Sequence, residues 1–133
     1  MNAMTDQALE PAAAARVLVV EDEFLIRMEV AAHLRDAGFE VIEAMNGDEA
    51  VAILTARAPI DLVFTDVRMP GSTDGMGLLE FIRRTRPTLP VIMTSGHLEP
   101  DLAFSGGATA FFPKPSDLDV VVKALRAALE AAA

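Results

Sequence analysis

The chain has 133 residues, 52% of them hydrophobic and 23% charged, with a formal net charge of -9 and no cysteine. Such a length suits one domain around one sizeable core, and the composition is globular, not disordered. The charge excludes the basic face of a duplex nucleic-acid binder and disfavours docking on an anionic membrane, no apolar run approaches the roughly 20 residues of a bilayer span, and the missing thiols exclude a disulfide framework while fitting a reducing, cytoplasmic compartment.

Residues 1–15 are Ala-rich, carry Asp6 and Glu10, and lack a basic n-region, so they read as a loose leader and not a signal peptide. The domain is expected over 16–133. Residues 16–20 form a continuous apolar run, the pattern of a strand covered on both faces. Over 24–37, Ile26, Val30 and Leu34 recur at helical spacing, and Gly38 ends the run. A second strand is predicted over 40–44. Asn46-Gly47 marks a turn and a cap for a helix reaching about Arg57. A third strand is expected over 61–65, introduced by Pro59, a third helix over 75–86, and a fourth strand over 90–94. Residues 98–105 make a weak fourth helix, short or irregular, because Pro100 lies within it and Gly106-Gly107 follows it. A short fifth strand is predicted over 110–112 and a final helix over 116–132 with Ser116 as its N-cap. Five alternations of strand and helix predict an α/β fold with a parallel sheet and helices on both faces. The chain ends soon after the fifth helix, which predicts no output domain.

In an open parallel sheet, ligands bind beyond the carboxyl ends of the strands. There strand one runs into Glu21-Asp22-Glu23, strand three into Asp66, strand four into Ser95-Gly96-His97, and strand five into Lys114-Pro115. Glu21, Asp22 and Asp66 would repel one another if close and unpaired, so either a proton or a cation must sit among them. Magnesium accepts a few carboxylates with water and phosphate oxygens. Lys114 is a mobile point charge able to reach a phosphoryl group, Ser95 offers a hydroxyl, and an Asp carboxylate can act as a nucleophile that becomes an aspartyl phosphate. Each residue alone has a plain structural role: acidic pairs favour helix starts, an Asp caps turns, a Lys is commonly solvated. Their arrival together at successive strand ends favours the chemical reading.

These motifs resemble the receiver domains of two-component response regulators, single-domain type, from about Arg16 to Leu129. Val17-Leu-Val-Val-Glu21-Asp22 is similar to the family's opening strand and acidic pair. Residues 61–70, ending Asp66-Val-Arg-Met-Pro70, resemble its phosphoacceptor strand and turn. Residues 89–96 are similar to the strand that ends in the switch hydroxyl, and Phe111-Phe-Pro-Lys114-Pro115 to the last strand and its Lys-Pro bond, which is often cis. The resemblance implies a flavodoxin-like, doubly wound five-stranded sheet in the order 2-1-3-4-5. It implies that Asp66 accepts a phosphoryl group from a histidine kinase or histidine phosphotransfer protein, with signalling by a conformational switch and no enzymatic turnover beyond the domain's own phosphorylation and dephosphorylation. Asp22 and Asp66 would bind Mg²⁺, Glu21 acting partly through water and the backbone carbonyl of Arg68 completing the protein ligands. Lys114 would pair with the phosphoryl group, Ser95 would bond it, and Phe111, lacking a hydroxyl, would switch by packing alone. Arg68 and His97 occupy positions that tune phosphoryl lifetime in the family. The fourth helix, fifth strand and fifth helix would provide an output or homodimer surface.

Two departures stand out. The turn over 69–75 is one residue longer than the common form, and the stretch from Ser95 to Lys114 is short by about one helical turn of ~3.6 residues. Phe24, Leu25 and Met28 fall off the apolar stripe of the first helix, so with Pro115 they are expected to form the docking face for the phosphodonor. An aspartyl phosphatase would place a second Asp where Arg68 stands, and neither a phosphate-binding loop nor a dinucleotide fingerprint follows the first strand. A receiver-like interaction module that works without phosphorylation is the alternative. The downstream target is not legible in the sequence.

Overall fold

A computed structural model describes residues 14–97 and 100–133. Residues 1–13 of the expected leader lie outside the described residues. Strands β1 (Arg16–Val20), β2 (Glu40–Ala44), β3 (Leu62–Asp66), β4 (Val91–Ser95) and β5 (Ala110–Pro113) alternate with helices α1 (Phe24–Asp36), α2 (Gly47–Thr55), α3 (Gly75–Thr85), α4 (Pro100–Ser105) and α5 (Leu118–Ala132). The strands form one sheet in the order β2-β1-β3-β4-β5, with every pairing parallel. The expected order and helix placement are therefore observed.

The side-chain period of two divides the sheet into two cores. Leu18, Val20, Val63, Val91 and Met93 face α2, α3 and α4, where they meet Ala50, Leu54, Leu78, Leu79, Ile82 and Ala103. Val17, Val19, Leu62, Phe64 and Ile92 face α1 and α5, where they meet Val30, Leu34, Val121 and Leu125. Each large side chain so buried stabilises the fold by about 1.5–3 kcal/mol relative to exposure. The three inner strands, β1, β3 and β4, are buried on both faces because helices cover both sides of the sheet.

Helix ends follow local chemistry. Asn46 accepts from the Glu49 amide and starts α2, as expected, and Asp74 accepts from Gly77 to start α3. Gly38, after α1, has φ +99, the left-handed conformation that stops a helix. The cap of α5 is Asp117, which accepts from the Asp119 amide; Ser116, the expected cap, instead donates its hydroxyl to the Pro113 carbonyl. The fourth helix is six residues long, under two turns, with Pro100 at its first position and Gly107, at φ +98, just beyond it. Strands three and four each run one residue further than expected, so Asp66 and Ser95 are the last residues of β3 and β4.

Candidate functional site

β3 lies at the centre of the sheet, and its carboxyl end holds Asp66, which is 6% exposed. The neighbouring β1 ends one peptide before Glu21, whose amide donates to the Ala44 carbonyl of β2. That bond holds Glu21 beside Asp66, 4% exposed, while the next residue, Asp22, turns outward to solvent. Glu21, Asp22 and Asp66 each bring a carboxylate oxygen within 4.8 Å of the others. The three carboxylates read from the strand ends therefore do converge.

Lys114 reaches them from beyond the opposite edge strand. Its amide donates to the Ser95 carbonyl, which sets the start of the β5–α5 loop, and the Lys114–Pro115 bond is cis. Its ammonium donates to Glu21 Oε1 at 2.6 Å and to Asp66 Oδ2 at 2.8 Å. One cation thus bridges the two buried carboxylates. Burial alone would lower the Lys114 pKa, but the hydrogen bonds to Asp66 and Glu21 and their charges outweigh it and hold the ammonium above its ordinary value. For Glu21 burial wins: it pushes the carboxyl up despite the Lys114 bond and the amide of Glu23, which donates to Oε2.

The other expected site residues fall around this centre. The Arg68 amide donates to Asp66 Oδ1 at 3.3 Å, closing a tight turn at the strand end, and its side chain is exposed. Ser95 is 1% exposed, and its Oγ accepts from the His97 amide at 3.1 Å. His97 is exposed. Phe111 pairs in register with Met93 and packs half-buried against the α2–α3–α4 core. Phe24, Leu25 and Met28 are 59%, 76% and 50% exposed on the first turns of α1, and Pro115 is exposed too.

Three features escaped the sequence reading. The Thr94 hydroxyl lies 3.4 Å from the Ser116 hydroxyl on the α1–α5 side of the sheet. Asp48, at the start of α2, takes hydrogen bonds from Thr73 and Ser72 that hold its carboxyl below the usual range, which fastens the β3–α3 turn to α2. Arg27, on α1, donates to the backbone carbonyl of Glu21. A cluster of Ser, Thr and Asp in a turn beside a helix start was the available signal for the second; the first depends on a contact between separate segments, and the third on a backbone carbonyl, which leaves no mark in residue type.

The family model for the response regulator receiver domain matches residues 17–126. A putative response regulator NtrX-like of Rickettsia felis is 39% identical over 118 residues, which is 86% of this chain and 25% of that protein. The DNA-binding transcriptional regulator NtrC of Salmonella typhimurium is 38% identical over 116 residues, 85% of this chain and 24% of that protein. The chain thus spans about a quarter of the length of these curated relatives. Among solved structures, the receiver domain of NtrX from Brucella abortus aligns with TM-score 0.79 and 42% identity, covering 86% of this chain and 98% of that one. A response regulator receiver domain protein from Clostridium thermocellum aligns with TM-score 0.83 and 31% identity over 88% and 95% of the two chains.

Proposed function

The chain belongs to the response regulator receiver domain family of two-component systems, and from that membership we propose that Asp66 is its phosphoacceptor. The observation that carries the reading is the Asp66 carboxylate itself: buried at the end of the central strand, within 2.8 Å of the Lys114 ammonium, and beside the oxygens of Glu21 and Asp22. An Asp66 oxygen attacks the phosphorus of the donor, the phosphorus–nitrogen bond of a phosphohistidine breaks, and the imidazole leaves with the bonding pair and takes up a proton. Lys114 then follows the charge, giving up its bond to Asp66 Oδ2 for one to a phosphoryl oxygen. The buried Ser95 hydroxyl is the donor for a second phosphoryl oxygen, and Phe111 repacks beside it.

Three clustered carboxylates with hard oxygen donors, one of them open to solvent, fit Mg²⁺, and Asp22, Asp66, Glu21 and the Arg68 carbonyl would hold it. Bound there, it would offset negative charge on the transferring phosphoryl group. The phosphodonor is a histidine kinase or a histidine phosphotransfer protein, docked on Phe24, Leu25, Met28 and Pro115. Family membership supports a cytoplasmic setting; among the described residues no helix is long and apolar enough to cross a membrane.

The test is incubation with acetyl phosphate and Mg²⁺ followed by intact mass, on the wild type and Asp66→Asn. One phosphoryl adduct that needs Mg²⁺ and disappears in the variant is expected. A folded wild type that takes no adduct would leave a binding module that works without phosphorylation.

A further inference from the structure

Glu21 and Asp22 lie between the end of β1 and the start of α1, and their carboxylates must be aimed at Asp66 from this short loop. Loops move unless their backbone groups are tied. Three ties on Glu21 come from groups already described: its amide bonds Ala44, and its carboxylate bonds the Glu23 amide and Lys114. The fourth is its backbone carbonyl, which belongs to the Glu21–Asp22 peptide plane and therefore sets the direction in which the Asp22 chain departs.

That carbonyl accepts from Arg27 Nη1 at 2.8 Å. The Arg27 side chain is 12% exposed, much of it covered, so this is not a solvated surface charge. Its Nε lies 3.3 Å from Glu43 Oε1 on β2, and its guanidinium sits 5.5 Å from the centre of the Phe24 ring. The planar fork of an arginine can hold a carbonyl and a carboxylate at once in fixed geometry; a lysine cannot. Glu43 is itself held by Arg35, from the far end of α1, at 3.3 Å. The fork is thus anchored on the sheet at one side and grips the acidic loop at the other.

We propose that Arg27 is a positioning residue for the acidic pocket: it fixes the Glu21–Asp22 peptide so that the Asp22 and Glu21 carboxylates point at the cation site beside Asp66. Arg27 touches neither the metal nor the phosphoryl group, and the inference rests on the phosphoacceptor reading of Asp66. Losing a group that orients ligands from behind typically weakens metal binding by about 10–100-fold.

The test compares Arg27→Gln, Arg27→Lys and Arg35→Gln with the wild type. Arg35→Gln is the control, because Arg35 ties α1 to β2 through the same Glu43 without touching the acidic loop. Mg²⁺ binding is followed by titrating the amide NMR signals of Asp22 and Asp66, and labelling by acetyl phosphate is measured at saturating Mg²⁺. Arg27→Gln is expected to weaken Mg²⁺ by about tenfold, with the labelling rate largely recovered at saturation. Arg27→Lys should recover part of the affinity, and Arg35→Gln should keep all of it. Wild-type Mg²⁺ affinity in a folded Arg27→Gln overturns the proposal, as does an equal loss in Arg35→Gln, which would mark a general loosening of α1. If Arg27→Gln does not fold, the same reading is taken on Arg27→Lys, where unchanged affinity overturns it. Failure of the phosphoacceptor reading is separate, since it would appear as a wild type that takes no label.

Discussion

Lys114 and Asp66 meet at 2.8 Å although 48 positions separate them in sequence, and the same ammonium also holds Glu21 at 2.6 Å. The negative charge of the resting site is therefore partly offset by a residue that the proposed chemistry needs elsewhere. A cation entering among the carboxylates, or a phosphoryl group arriving on Asp66, competes for bonds that are already made. The ammonium must be released before it can follow the phosphoryl charge.

Removing that ammonium leaves two buried carboxylates facing each other. Lys114→Met is expected to destabilise the metal-free protein by about 1–3 kcal/mol at neutral pH, the usual cost of leaving a buried charged group unpaired. The raised Lys114 pKa gives the sign: its stabilisation is fully present below the ordinary value of 10.5 and is lost as pH rises through the higher folded value. Urea unfolding with chelator present measures both. Adding Asp66→Asn to Lys114→Met should return part of the loss, because one of the stranded charges is gone; a fully additive double mutant would sink the bridge as a stabilising contact.

Glu21 works in the opposite sense. Burial raises its pKa above the ordinary 4.5, so the folded protein binds this proton more tightly than the unfolded chain does. Between 4.5 and the raised value, stability falls as pH rises, and the ionised Glu21 is a net burden at neutral pH. Glu21→Gln keeps an acceptor for Lys114 and for the Glu23 amide while removing the charge. Without divalent cations, the variant should unfold at higher urea than the wild type at pH 7, and the gap should close as pH drops below about 4.5. A gap that widens on acidification would show that ion pairing with Lys114, and not burial, dominates at Glu21.

The fold and the centre of the site were legible because both depend on local pattern. An apolar run such as Val17 to Val20 announces a strand covered on both sides, and both faces of β1 are indeed buried. Asp66, Ser95 and Lys114 could be placed together because parallel strands bring their carboxyl ends to one edge. What the sequence withheld is how a pair of long side chains shares partners. Nothing in the order of residues says that Lys114 spans two carboxylates, or that Arg27 grips a backbone carbonyl, which leaves no mark in residue type. The choice between Ser116 and Asp117 as cap was equally hidden: both can cap, and the Pro113 carbonyl takes the serine hydroxyl. The short α4 was legible from Pro100 and Gly106-Gly107 because those residues act on the backbone itself.

The exposed residues of α1 give a prediction that separates docking from chemistry. Leu25 and Met28 are 76% and 50% exposed, so replacing both with alanine should change stability by no more than about 0.5 kcal/mol. Phe24 is better left alone, since its ring lies against Arg27. Phosphotransfer from the cognate histidine kinase should slow about tenfold or more, as for loss of interface anchors, while labelling by acetyl phosphate stays at the wild-type rate. An equal drop with both donors would place the two residues in the site's own architecture and remove the docking face.

The turn between β3 and α3 carries the last prediction. It is closely held. The Gly75 amide donates to the Val67 carbonyl at 2.8 Å, and a Cβ on Gly75 would stand 2.6 Å from the Val67 Cα and closer still to the Asp66 carbonyl oxygen. A Cβ on Gly47 would likewise fall inside contact distance of the Thr73 carbonyl, where Ser72 and Thr73 bond Asp48. In both places the obstacle is backbone, which cannot rotate aside as a flexible side chain can. Gly75→Ala should therefore destabilise by about 1–3 kcal/mol, the range for forcing atoms into a packed position, and should also displace the Asp66 strand end. Gly47→Ala should cost a similar amount but act on the far side of the turn, away from Asp66. Urea unfolding gives the stabilities, and acetyl phosphate labelling of the folded fraction gives the site. The expected result is a similar stability loss in both variants with labelling impaired in Gly75→Ala alone. Equal labelling in the two would mean that the turn absorbs the added methyl without moving Asp66.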